Sequence, residues 1–212
     1  MSGSKINVAK QAASFLEKKL TADMILGIGT GSTVNFFIEE IKPYSHLFKG
    51  AVSSSERSSA LLKEAGISVF ELNDINEIAF YIDGADEVSE DKSLIKGGGG
   101  AHTREKIVAS ASNHFICIVD DSKLVKKLGA FPLPIEVIPE SRSLVSRKII
   151  SLGGTPLYRQ AFITDQGNQI IDVSDLDLRN PVEMEIKLNS IAGVVDNGIF
   201  AINKPLTVLV SE

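Results

Sequence analysis

Short apolar runs alternate with stretches of helical periodicity over the first 130 residues, and that alternation predicts the architecture. Residues 5–20 place Ile6, Ala9, Ala13, Leu16 and Leu20 on one helical face. MILGI (24–28) reads as a short buried strand, and 32–41 as a helix that Ser32 or Thr33 can cap. GAVSSS (50–55) is a strand running into a loop, followed by a helix over 56–65. ISVF (67–70) and IAFYI (78–82) are strands, 103–113 a helix, HFICIV (114–119) a strand and 122–129 a helix. Apolar strands alternating with helices predict an α/β fold, a Rossmann-like parallel sheet covered by helices.

From about residue 131 the pattern changes. The expected elements are a strand over 132–138, a helix over 142–152, and strands over 157–163 and 169–173 flanking the turn DQGN (165–168). Pro181 can open a helix over 181–189; a strand over 191–195 and the turn DNG (196–198) come next. The order strand–helix–strand–strand–helix–strand is that of a smaller ferredoxin-like α+β lobe. LTVLV (206–210) is apolar and can return to the first sheet. The expected division is residues 1–130 plus 204–212 as a catalytic domain, with 131–203 as a lobe contributing to oligomerisation.

Composition narrows the function classes. Of 212 residues, 43% are hydrophobic and 23% charged, which is globular and not disordered. A formal net charge of -5 without a Lys/Arg cluster argues against nucleic acid or an anionic membrane as partner. No apolar run reaches the length of a membrane span, and the polar start MSGSKINVAK does not read as a secretion signal, so a cytoplasmic location is expected. Cys117 is the only cysteine, which excludes an intrachain disulfide; within the apolar run 115–119 it reads as a buried, inert thiol.

Three loops carry candidate chemistry. GIGTGST (27–33) lies where the first strand turns into a helix, at the sheet edge where ligands bind. Small residues there let backbone N–H groups approach an anion, and the hydroxyls of Thr30, Ser32 and Thr33 add donors. Ser32 stands where a dinucleotide fingerprint needs its third glycine, and no G-K-[ST] follows, so a terminal phosphate on a small molecule fits better. A tight strand–helix turn with capping hydroxyls is the competing reading.

DGADE (83–87) gathers Asp83, Asp86 and Glu87 at a strand end, well placed for acid–base work; a solvated turn is the alternative. His46, His102 and His114 are scattered, and the stretch with Asp172, Asp175 and Asp177 lacks the glycine and closing glutamate of a calcium loop. That stretch reads as solvated surface, and no metal is expected. In KGGGGAHTREK (96–106), the cation Lys96 precedes four glycines that can present successive N–H groups to an anion. Glu105 falls in the first turn of the next helix, where the dipole favours its ionised form. A flexible hairpin followed by a helix-start glutamate is the plainer alternative.

In their order and spacing, GIGTGST, GAVSSS, DGADE, KGGGGAHTREK and FPLPIEV resemble the type A ribose-5-phosphate isomerases over nearly the whole chain. The pairing of DGADE with KGGGG-x-x-TREK is the most specific part. The resemblance implies a cofactor-free homodimer that interconverts ribose 5-phosphate and ribulose 5-phosphate through an enediolate. It implies Thr30, Gly31, Ser32 and Thr33 as a substrate-binding loop, joined by Asp83, Gly84, Ala85 and Asp86 of the acidic turn. It implies Lys96 with Gly97, Gly98 and Gly99 as a lysine–glycine loop, Glu105 as the base, and Lys123 as a further substrate contact. Asp83 and Asp86 are the matching active-site aspartates. His102 receives no role. The alternative from another class is a non-catalytic sugar-phosphate sensor domain.

Overall fold

A computed structural model describes residues 2–211. In chain order its helices are α1 (Ser2–Glu17), α2 (Ser32–Ile41), α3 (Glu56–Glu64), α4 (His102–Ser110), α5 (Arg142–Ser151) and α6 (Pro181–Asn189). Its strands are β1 (Ile25–Ile28), β2 (Gly50–Ser53), β3 (Ile78–Asp83), β4 (Glu87–Ser89), β5 (Leu94–Ile95), β6 (Ser112–Asp120) and β7 (Leu124–Val125). They continue with β8 (Leu133–Val137), β9 (Thr155–Tyr158), β10 (Gln169–Ser174), β11 (Val194–Asn197), β12 (Ile199–Phe200) and β13 (Thr207–Ser211).

The chain divides into two compact units. One comprises Met1–Gly84, Arg104–Lys123 and Pro205–Glu212; the other comprises Ala85–Thr103 and Leu124–Lys204. The second unit therefore takes in the glycine-rich stretch as well as the residues beyond 131. The chain passes from one unit to the other within both DGADE and KGGGGAHTREK.

The first unit is a five-stranded parallel sheet in the order β13-β6-β3-β1-β2, flanked by helices. All four residues of β1 and of β2 are buried, as expected for strands covered on both faces. Helix α1 packs on α2, and Val8, Ala9, Ala12 and Leu16 join Phe37, Ile38 and Ile41 in one apolar cluster with Leu26, Ile28, Ile82 and Ile116. The C-terminal strand β13 closes the sheet by pairing with β6, as its apolar pattern predicts.

The second unit holds a four-stranded antiparallel sheet in the order β11-β8-β10-β9, the ferredoxin-like arrangement, with α5 and α6 as its crossovers. Its core gathers Leu133, Ile135, Val137, Val145, Ile149, Ile171 and Leu188. A third sheet in the order β12-β5-β4-β7 is built of strands only two or three residues long. Strands that short carry no readable period.

Several expected elements differ. ISVF makes only an isolated bridge from Val69 to Ala51, because its apolar residues close the edge beside β2 without a continuing ladder. Residues 122–129 are not helical: a 3-10 turn over Asp121–Lys123 leads into β7, since Leu124 pairs with Val88. The strand expected over 157–163 ends at Tyr158, and a longer connection carries the chain to β10. DNG is no hairpin turn; Gly198 is the point where the chain leaves the sheet of β11 and enters that of β12. Helix α2 is preceded by Gly31 at φ 120, with no side-chain cap from Ser32 or Thr33. Side chains cap two other helices: Ser55 accepts from Ser58 N at the start of α3, and Asn180 accepts from Glu183 N at the start of α6.

Candidate active site

In the first unit the strand order reverses at β1. The chain builds β2 on one side of it and then β3 on the other, and ligands bind beyond the carboxyl ends of strands at such a switch point. Two of the quoted motifs end there. GIGTGST leaves β1, and Asp83 is the last residue of β3.

Asp83 is fully buried, and its carboxylate is satisfied by named donors. Thr30 N donates to Oδ1 at 3.1 Å and Gly84 N to Oδ1 at 2.7 Å, while the Tyr81 hydroxyl donates to Oδ2. Tyr81 and Asp83 share a face of β3 by the two-residue period of a strand. Burial pushes the Tyr81 phenol well above its usual pKa, and the charges of Asp83 and Glu105 raise it further. The phenol therefore stays a proton donor across the working pH range. Gly29 makes this arrangement possible, because a Cβ there would lie 2.0 Å from Asp83 Cγ.

A chain of hydroxyls surrounds the loop. Thr30 Oγ1 and Ser54 Oγ share a hydrogen bond of 2.8 Å, and Ser58 Oγ donates to Gly29 O at 2.7 Å. Ser32, exposed at the start of α2, accepts from Lys5 Nζ at 2.8 Å. Thr33 is half-buried in the same turn. Glu105 sits in the first turn of α4 and is only 4% exposed; its neighbour Arg104 pairs with Glu56 at 2.8 Å. Lys123 is half-buried in the 3-10 turn after β6. This unit thus gathers a buried carboxylate–phenol pair, a second buried carboxylate whose charge reaches that phenol, and an open loop of hydroxyls beside a helix N-terminus and a lysine.

In the second unit, Ala85 and Asp86 are half-buried before β4, and Lys96 follows β5. Lys96 is 3% exposed, its N–H donates to Gly198 O at 2.9 Å, and its ammonium lies 5.7 Å from the centroid of the Phe200 ring. Asp86 Oδ2 accepts from Gly98 N at 2.8 Å, and Glu87 accepts from Gly129 N at 2.7 Å and Phe131 N at 2.6 Å. Separate N–H donors thus stabilise each of the crowded acids. The glycines do not offer four open donors: Gly98 N–H goes to Asp86 and Gly100 N–H to Gly97 O at 2.9 Å. Gly97 has φ 101, and His102 packs beneath it, fully buried. Thr103 donates to the buried Glu136, which also accepts from Thr164 Oγ1 and Asn168 Nδ2.

Sequence reasoning missed Lys5, Tyr81 and Ser54. Only Tyr81 carried a usable signal, its two-residue spacing from Asp83. Asp172, read as solvated surface, is in fact paired with Arg159. Among the described residues no group of three or more His, Cys, Asp or Glu side chains could hold a metal ion, and no helix is long and apolar enough to cross a membrane.

Comparison with known proteins gives concordant matches. The family described as ribose 5-phosphate isomerase A (phosphoriboisomerase A) matches residues 50–212. Ribose-5-phosphate isomerase A of Legionella pneumophila (strain Lens) is 53% identical over 201 residues, which cover 95% of this chain and 91% of that protein. The crystal structure of ribose 5 phosphate isomerase A from Neisseria gonorrhoeae superposes with a TM-score of 0.93 at 46% identity, covering 99% of this chain and 94% of that one. The Methanocaldococcus jannaschii structure gives 0.91 at 41% identity, covering 98% and 94%.

Proposed function

The chain belongs to the ribose 5-phosphate isomerase A family and interconverts ribose 5-phosphate and ribulose 5-phosphate, and from that premise we propose the roles of its residues. The comparisons lend nothing to a sensor reading, since the relatives carry the enzyme's name.

Aldose–ketose isomerisation breaks the C2–H bond, makes a C1–H bond and moves one hydroxyl proton. Glu105 is the base. Its carboxylate takes the C2 proton, leaves an enediolate, and returns the proton to C1. The negative charge that develops on O1 and O2 needs donors preset to receive it, and Lys96 with the Gly99 N–H of the glycine loop supplies them. When the closed sugar opens, the anomeric O1 hydroxyl loses a proton and the ring oxygen gains one as its bond to C1 breaks. Asp83 relays that proton, and the Tyr81 phenol and the Thr30 and Gly84 N–H groups hold its carboxylate in one orientation. Asp86 fixes the glycine loop through Gly98 N–H.

The phosphate binds at the loop of Thr30, Gly31, Ser32 and Thr33, where the α2 N-terminus favours an anion and Lys5 and Lys123 add positive charge. Binding the distant phosphate orients the reacting carbons. A relative 34% identical to this chain has been solved in complex with phospho-erythronic acid. That compound pairs a phosphate with a carboxylate, which imitates the anionic oxygens of an enediolate.

The observation that carries this reading is the buried Tyr81–Asp83 pair at the switch point, with the charge of Glu105 close enough to raise the phenol. Glu105→Gln keeps the shape and removes the base. The expected result is a kcat lower by about 100- to 10,000-fold with ribose 5-phosphate KM nearly unchanged. Retained turnover removes Glu105 from this role. The same reading takes the enzyme to be a cytoplasmic homodimer acting without a cofactor; full activity in chelator and a dimer mass in solution are the expected results.

A further inference from the structure

The segment after β9 carries a cation that no sequence pattern singled out. Arg159 is held by Asp172 of β10 in a two-pronged pair, Nε donating to Oδ2 at 2.8 Å and Nη2 to Oδ1. Both side chains are sheltered, at 18% and 23% exposure. The remaining guanidinium N–H groups reach the glycine loop. Nη1 donates to Gly97 O at 3.3 Å and to Gly98 O at 3.2 Å, and Nη2 donates to Gly97 O at 3.3 Å. Three residues on, the Phe162 ring covers Gly100, where an added Cβ would lie 2.2 Å from Cζ; Arg159 also stacks on that ring at 5.3 Å. One short segment thus holds both ends of the glycine run.

Peptide planarity gives this grip a chemical consequence. The C=O and N–H of a trans peptide point in opposite directions. With Gly97 O on Arg159, the Gly98 N–H faces the other way, onto Asp86. With Gly98 O on Arg159, the Gly99 N–H is likewise turned away from the guanidinium. Gly99 is exposed, and its N–H makes no bond among the described residues.

We propose that Arg159, oriented by Asp172, is a positioning residue for the isomerisation: by fixing the Gly97 and Gly98 carbonyls it aims the Gly99 N–H at the anionic intermediate. This rests on the role given above to the glycine loop. A floppy run of glycines becomes a preset donor only when something fixes its peptide planes, and here side chains do so.

Arg159→Met keeps the stem and removes the donors. It should lower kcat about 100-fold, the scale of one lost oxyanion donor, with KM for ribose 5-phosphate within about threefold of the wild-type value. Affinity for phospho-erythronic acid should fall in parallel with kcat. Arg159→Lys should recover part of the loss, since an ammonium is a point donor and cannot span two carbonyls. Unchanged kcat in Arg159→Met, or a raised KM with kcat intact, overturns the proposal. Should that variant not fold, Arg159→Lys decides, and a wild-type kcat there overturns it. Lys96→Ala run alongside separates the two levels. If only Lys96→Ala weakens the analogue, the positioning role fails alone; if neither variant does, the reading of the glycine loop fails.

Discussion

Two loops that both read as anion cradles are held in opposite ways. Residues 29–31 are an extension of the parallel sheet. Gly29 N donates to Ile82 O at 2.9 Å, Thr30 N donates to Asp83, and the carboxylate beneath them is fully buried. Residues 97–100 have no such ladder. Asp86, Arg159, His102 and Phe162 fix them from the side. The first loop owes its shape to backbone pairing between adjacent strands, so its weak point is steric. The second owes its shape to four side chains, so it is weak wherever one of them is removed.

Gly29→Ala attacks the first loop with the largest expected effect. The new Cβ would lie 2.0 Å from Asp83 Cγ, so the carboxylate or the strand must move. A displacement of about 1 Å costs roughly 100-fold in rate, and kcat should fall by about that much together with the melting temperature. Wild-type kcat and melting temperature in this variant would mean the sheet does not fix Asp83.

Gly97→Ala attacks the second loop through its backbone. At φ 101 a side chain is strained by about 1–3 kcal/mol, and its Cβ would also meet His102 Nδ1 at 2.7 Å. Removing the ring in Gly97→Ala/His102→Ala relieves the collision with Nδ1 and Cγ and leaves the 3.0 Å contact with the remaining Cβ and the backbone strain. The double variant should therefore recover part of the lost stability in a thermal melt, whereas additive losses would show that His102 does not limit this position.

Tyr81→Phe has the smallest effect and sharpens the comparison through pH. The Tyr81 pKa is raised in the folded state, so above about pH 10 the unfolded chain loses this proton first and the folded chain binds more. That contribution to stability is intact below about pH 10 and is lost as pH rises toward the folded pKa. Wild-type melting temperature should drop more steeply above pH 10 than that of Tyr81→Phe. Parallel slopes would mean the phenol is not buried against the two carboxylates. At neutral pH the variant should lose about 1 kcal/mol, the scale of one hydrogen bond.

The parallel sheet was legible because its strands are apolar on both faces and its helices keep their period; α2 and α6 match their expected bounds of 32–41 and 181–189. The lobe was legible through element order alone. What failed was short or switched: β4, β5, β7 and β12 have two or three residues each, and the stretch over 122–129 is not the expected helix because Leu124 pairs with Val88. At the site, the glycines, acids and lysine to which the proposed roles are given stand in three continuous motifs, which is why the sequence could single them out. Asp172 looked like one more surface acid because its partner is 13 residues away, in the segment that follows the neighbouring strand β9.

By itself the sequence determined the local grammar: where strands end, where small residues let backbone approach an anion, and which carboxylates stand at those ends. Those features follow from period, side-chain size and φ, all of which act within a few residues. Only the tertiary structure decided that Lys5 meets Ser32, that Tyr81 donates to Asp83 while feeling the charge of Glu105, and that Arg159 grips a peptide 62 positions earlier in the chain. Such bonds extend over only about 3 Å, and groups distant in the chain come that close only once strand register and packing are set.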